Sequence, residues 1–236
     1  MYDEILKDIK TYQNPEIAKG QLRFFKTGKG GYAEGDKFYG LKNPTVRTLV
    51  KKYKDVKDFT VIESLLHNDY HEVRLFALLL MVENFNKSDL EGKKKIVNLY
   101  VKNINYINNW DLVDLSVYKI LGKYCLLIND YSLLYNLSEK KNLWSERISV
   151  VANWIIVKNG KFDVLIDLAK KFLSHKHDLM HKAVGWILRE MGKSSNDGYK
   201  QLLSFLDDYA GVMPRTMLRY SIEKLPKTLQ KKYMNI

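Results

Sequence analysis

A basic residue near the start of an apolar-striped helix recurs along this chain. Arg74 lies in Y-H-E-V-R-L-F-A, Arg147 in L-W-S-E-R-I-S-V-V-A, Lys182 in D-L-M-H-K-A-V-G-W and Arg215 in V-M-P-R-T-M-L. The intervals are 73, 35 and 33 residues, so the first spans about two of the later ones. Recurrence at this length is the signature of a helical solenoid of the HEAT or armadillo kind. A single helix pair cannot bury its own apolar face, so pairs must stack to build one continuous core. The expected fold is all-α: a HEAT/ARM-like solenoid of about fourteen helices in six or seven antiparallel pairs, one domain over residues 1–236. In such a stack the second helix of each pair lines a concave wall, and the recurring cations form a row along a basic groove.

Periodicity along the chain agrees. Ile5, Ile9 and Tyr12 repeat at helical spacing, as do Val73, Phe76, Ala77 and Leu80, and again Ile148, Val151, Ala152 and Ile155. Strand-like alternation is hard to find, and four prolines with 13 glycines are few for a turn-rich β fold. The pattern predicts helices near 2–12, 15–25, 44–54, 58–66, 70–84, 88–102, 110–128, 130–138, 143–158, 161–172, 177–192, 196–208, 213–223 and 226–234. Asn14-Pro15 and Asn43-Pro44 place proline at a first helical position. Ser88 to Glu91 reads as a capping box, and Asn159-Gly160 as a helix end. The one long irregular stretch, residues 27–43, holds Gly28, Gly30, Gly31, Gly35 and Gly40. A loop this long in a helical protein is usually functional or disordered. It does not match a phosphate-binding loop.

The chain carries 39 basic and 27 acidic residues, a formal charge of +12 spread over both halves. Such an excess points to a polyanion, with nucleic acid first; a merely basic, lysine-rich surface is the bland alternative. The most apolar run, Val73 to Val82, is interrupted by Arg74 and is far shorter than a bilayer crossing. The N-terminus lacks the pattern of a secretory signal. Cys125 stands alone, which excludes an intrachain disulfide or a cysteine-built zinc site and suits a reducing interior. Its leucine-rich neighbourhood predicts a buried, inert thiol.

One position breaks the basic row. Midway across the long interval, N-W-D-L-V-D offers Trp110, Asp111 and Asp114 where a cation is expected. Trp110 and Asp114 are four residues apart and share a helix face. An aromatic ring and a carboxylate displayed together on a basic wall suit chemistry better than scaffolding. The plain alternative makes Trp110 core and Asp111 a helix cap. Lys182, Trp186 and Arg189 share a second face, with Trp186 expected on the groove. Trp144 and Trp154 are expected in the core.

N-W-D-L-V-D, N-L-W-S-E-R-I-S-V and H-K-A-V-G-W-I-L-R-E, in this order, together with F-Y-G-L-K-N-P-T-V-R, resemble the AlkD family of alkylpurine DNA glycosylases over about residues 10–225. The resemblance implies a HEAT-like enzyme that excises N3- and N7-alkylated purines from duplex DNA. It assigns the catalytic carboxylate to Asp114, two groove tryptophans to Trp110 and Trp186, and the key arginine to Arg147. Lys42, Arg74, Lys182, Arg189 and Arg215 are then expected against DNA. The sequence departs from relatives at Asn109, where they carry an aromatic. The implied enzyme is a cytoplasmic, nucleoid-associated monomer of a prokaryotic cell, using no metal or cofactor and no membrane.

Two other readings compete. Most helical solenoids are scaffolds, so the fold alone favours a non-catalytic protein that binds DNA or protein. His175, His177 and His181 come near the H-E-x-x-H metal pattern, but Asp178 stands where glutamate is needed and a third ligand is missing. Histidines at a helix start are more often caps. His67 and His71 read as a lone pair at a helix junction.

Overall fold

The computed structural model describes residues 1–236. It is helical throughout, with one isolated parallel bridge, Lys37 to Tyr70, as its β pairing. Contacts divide the chain into two compact units, Met1–Ser116 and Val117–Ile236.

The first unit holds α1 (Tyr2–Thr11), α2 (Pro15–Phe24), α3 (Asn43–Lys52), α4 (Phe59–Leu66), α5 (His71–Lys87), α6 (Leu90–Lys102) and the start of α7 (Trp110–Val117). In the second are α8 (Lys123–Ile128), α9 (Ser132–Ser138), α10 (Leu143–Val151), α11 (Asn153–Val157), α12 (Asp163–Lys171), α13 (Asp178–Ser194), α14 (Asn196–Tyr209), α15 (Arg215–Ile222) and α16 (Lys227–Met234). A π turn, Tyr118–Gly122, joins α7 to α8, and α11 follows α10 directly after Ala152. With each of those two pairs taken as one rod, the helices number fourteen.

The centre of the first unit is α5, against which α3, α4 and α6 pack. The expected stripe of Val73, Phe76, Ala77 and Leu80 is fully buried, but so are Leu75, Leu78 and Met81 on its other sides. A helix apolar all round has to be surrounded, and this one is. At the N-terminal edge Ile5 and Ile9 are buried while Tyr12 is exposed, so the α1 stripe is one residue shorter than the periodicity suggests. No residue of α2 is fully buried.

Several caps differ from the sequence reading. Asn14 caps α2 as expected, accepting from Ile17 N–H at 3.1 Å. Lys42, not Asn43, holds the cap position of α3, with Pro44 inside the first turn. The cap of α6 is Asp89, which accepts from Gly92 N–H at 2.8 Å. Ser88 instead closes α5, donating to the Asn84 carbonyl at 2.8 Å. A hydroxyl next to a helix end satisfies an orphan carbonyl there as readily as an orphan N–H ahead.

The glycine-rich segment is tied down at its end. The Glu72 carboxylate accepts three backbone N–H bonds, from Tyr39 at 3.0 Å, Gly40 at 2.8 Å and Leu41 at 3.0 Å. Gly40 has φ +88°, and a Cβ there would collide with the Asn14 carbonyl, so only glycine fits.

In the second unit α9 packs on α10, α10 on α13, α13 on α14 and α15, and α15 on α16. The helices carrying Arg147, Lys182 and Arg215 therefore neighbour one another in chain order, as stacked repeats require. Two glycines allow close approach. A Cβ at Gly185 would collide with the Met217 carbonyl of α15, and one at Gly122 with the Ala152 carbonyl.

Candidate active site

The first turn of α7 is built by two polar residues, one on either side of Trp110. Asn109 is fully buried and accepts from Trp110 N–H at 2.8 Å, and its carbonyl receives the Val113 N–H. The residue that departs from the AlkD pattern thus starts the helix. Asp111 accepts from Leu112 N–H at 2.8 Å through one oxygen. Its other oxygen faces inward, 2.8 Å from His71 Nε2. The expected cap is therefore an ion-pair partner as well.

Trp110 and Asp114 lie one turn apart, both half-buried. Trp110 is neither sealed core nor a free surface ring. Its indole N–H donates to Tyr32 Oη at 3.1 Å. Phe24 meets the indole edge-on at 5.8 Å, and Phe25 lies tilted at 5.6 Å. The glycine-rich loop and the end of α2 thus form the surround of Trp110, which spacing along α7 could not reveal. Below Asp114 lies Tyr100, fully buried. Burial pushes its phenol up, and the Asp114 carboxylate adds to the shift.

Behind Trp110 the structure brings together residues the sequence reading set aside. His71 sits between two carboxylates, with Nε2 at 2.8 Å from Asp111 and Nδ1 at 3.5 Å from Asp36. The rings of Phe38 and Phe25, stacked on each other at 5.2 Å, pack against the imidazole at 4.7 and 4.9 Å. His71 is therefore no bystander at a helix junction. Burial opposes its protonation, but the Asp111 charge and the contacts with both carboxylates outweigh it, and its pKa rises to about 9. Asp36 is held below its ordinary value: burial raises it, and the His71 contact and the Arg74 charge more than reverse that.

Arg74 is a correction to the expected basic row. It is buried, and its guanidinium donates to the carbonyls of Asn68 and Asp69 at 3.0 and 3.1 Å and to Asp36 at 2.8 Å. A cation one turn into a helix can clamp the preceding turn, and periodicity does not separate that role from a surface one. Arg147 is also buried, donating to the Leu179 carbonyl at the start of α13. Of the other expected contacts, Lys42 and Arg215 are exposed, the latter donating to the Met234 carbonyl at 2.7 Å. Lys182 pairs with Asp178 at 2.6 Å, and Arg189 pairs with Glu223.

Trp186 is half-buried on α13. Trp144 is buried, in line with its core assignment. Trp154 is not; it is half-buried, stacked under the Lys158 ammonium at 3.5 Å and beside Tyr118 at 4.6 Å. The π face that the core reading would have sealed is covered by a cation instead.

The three clustered histidines serve the entry to α13. His177 accepts from Leu179 N–H at 3.1 Å as the helix cap, His175 lies 3.1 Å from Glu146, and His181 bonds the His175 carbonyl. Cys125 is buried, and burial pushes its thiol up to about 12. No helix is long and apolar enough to cross a membrane.

A family model described as DNA alkylation repair enzyme matches residues 5–225 of this chain. Among solved structures, a predicted DNA alkylation repair enzyme from Enterococcus faecalis is similar at a TM-score of 0.71 and 18% identity. The match covers 91% of this chain and 97% of that one, and at this identity it speaks to the fold. No curated protein matches.

Proposed function

Because the chain belongs to the DNA alkylation repair enzyme family, we propose that it hydrolyses the N-glycosidic bond of N3- and N7-alkylated purines in duplex DNA. The observation that carries this reading is the pairing of Trp110 and Asp114, half-buried one turn apart at the start of α7. A scaffold has no need of a carboxylate beside a part-exposed indole, and a glycosylase does.

An alkylated N3 or N7 leaves the purine with a formal positive charge, which makes it a good leaving group. As the bond breaks, the sugar takes on oxocarbenium character. A positioned carboxylate stabilises that charge and can orient the attacking water. Asp114 takes this role. The Trp110 indole offers its π face to the cationic nucleotide, a contact of about 0.5–2 kcal/mol. Trp186 offers a second such face. Arg189 holds a phosphate at the lesion, and Lys42, Lys182 and Arg215 hold flanking ones. Arg147, buried against the Leu179 carbonyl, serves the site by fixing the start of α13, the helix that carries Trp186 and Arg189. Arg74 also drops out of the phosphate-binding set, since its guanidinium is spent on Asp36 and on the turn before α5. In this reading residues 1–236 act as one catalytic domain, a monomer of the prokaryotic cytoplasm that uses no cofactor.

The test is release of 7-methylguanine and 3-methyladenine from methylated duplex DNA. Asp114→Asn should lower the single-turnover rate about 100-fold or more, the scale of losing one transition-state charge partner. Duplex binding should persist. Full activity in that variant would sink the assignment.

A further inference from the structure

Four ionisable side chains from three separate segments meet behind Trp110. Asp36 comes from the glycine-rich loop, His71 and Arg74 from α5, and Asp111 from α7. Their exposures are 8, 2, 4 and 5%. With His71 protonated, two anions face two cations and the group is neutral. With His71 neutral, one buried carboxylate loses its counter-charge. Networks of this kind add little net stability, since apolar residues of the same volume often do as well. What they supply is a fixed geometry, and here the geometry fixed is the turn that begins with Trp110.

We propose that His71 is a positioning residue for base excision: clamped between Asp36 and Asp111, it locks the first turn of α7 and so the placement of Trp110 and Asp114. The proposal rests on the glycosylase reading for its reaction, and on the distances alone for the clamp. Two routes lead from the imidazole to the site. One is the 2.8 Å bond to Asp111, the residue after Trp110. The other is Phe25, whose ring lies 4.9 Å from His71 and 5.6 Å from Trp110.

The charged groups facing His71 are Asp111 from α7, Asp36 from the loop and Arg74 from its own helix. The end of α2 and the loop otherwise present the rings of Phe25 and Phe38. Asp36 and Arg74 also line a polar cleft of about 210 Å³ with Asn68 and Asn108. With a pKa of about 9, the imidazole is a cation through neutral pH and loses its charge above that value. The raised pKa sets the sign: the clamp is tight below pH 9 and slackens above it.

The experiment combines kinetics with a probe that does not need turnover. Single-turnover release of 7-methylguanine is followed from pH 6.5 to 9.5, corrected for uncatalysed loss, in the wild type, His71→Gln and Asp114→Asn. The indole N–H resonance of Trp110, identified by its loss in Trp110→Phe, is followed over the same range. His71→Gln should slow the chemical step about 10- to 100-fold, the scale of a small misplacement, with duplex affinity within about twofold. The wild-type rate should fall as the pH approaches 9, and the indole resonance should shift over the same interval; both changes should vanish in His71→Gln. Should that variant fail to fold, Asp36→Asn, which keeps the shape of the side chain, should move both transitions to lower pH. A wild-type rate in His71→Gln, or an indole resonance that does not titrate in the wild type, overturns the proposal. If the wild type releases no base at all, the glycosylase reading fails, while the indole titration still decides whether His71 holds Trp110.

Discussion

Arg74 shows what a residue's position in a repeat does and does not tell. Its spacing from Arg147 suggested a place in a basic row, yet the guanidinium points at Asp36 and at two carbonyls of the preceding turn. Removing it strands a carboxylate in the interior. Arg74→Ala should therefore cost about 3–5 kcal/mol in urea unfolding. The salt dependence of duplex binding should keep its slope, because no phosphate contact is lost. A stable variant with a flatter slope would return Arg74 to the surface row. Trp110 and Asp114 were legible because four residues on a helix define one face. His71 and Asp36 were not. His71 reaches Asp111 from 40 positions away in the chain, and Asp36 reaches His71 from 35, and no local spacing encodes contacts of that kind. The nearest sequence hint was the crowding of His71, Glu72 and Arg74 at the head of an otherwise apolar helix, a costly arrangement unless each polar group has a partner.

Among the elements, existence and order followed from apolar periodicity, because each helix must bury one stripe against its neighbours. The π turn at Tyr118–Gly122 and the break at Ala152 did not. Apolar spacing changes little when one turn widens, so a long stripe reads as a single regular rod. Close approach between helices was equally hidden. Gly185 sits mid-helix, where alanine would be favoured by about 1 kcal/mol on propensity alone. The structure reverses that sign, since a Cβ there would meet the Met217 backbone carbonyl, which cannot move without shifting α15. Overpacking of this sort costs about 1–3 kcal/mol, and contact with backbone puts it at the upper end. Gly185→Ala should therefore lower the melting temperature while leaving far-ultraviolet circular dichroism at 25 °C unchanged. A raised melting temperature would mean that α13 and α15 separate freely. In that case Trp186, the next residue, would owe its placement to something other than this contact.

For the whole molecule, the charge of +12 was plain from composition, but its distribution was not. Part of it never reaches solvent, since Arg74 and Arg147 are interior. Part is engaged in ion pairs, the half-buried Arg189 with Glu223 and, at the surface, Lys182 with Asp178. Exposed pairs of this kind are worth only about 0–1 kcal/mol, so a phosphate can replace the carboxylate partner at little loss. The cations proposed to meet flanking DNA are therefore Lys42, Lys182 and Arg215, and their contribution is separable from that of the buried arginines. Each neutralised phosphate adds about −0.9 to the slope of log affinity against log salt. Replacing all three by alanine should flatten that slope by about 2.7. It should also remove roughly 40-fold of the affinity lost between 50 and 200 mM salt. The measurement is a fluorescence-anisotropy titration of an undamaged duplex at several salt concentrations, wild type against triple variant, with Arg74→Ala beside them. An undiminished slope in the triple variant would take these three residues off the DNA and move the interface to other lysines. Wild-type binding that ignores salt would remove duplex DNA as the reason for the excess charge, and with it the premise that Asp114 faces a polyanion.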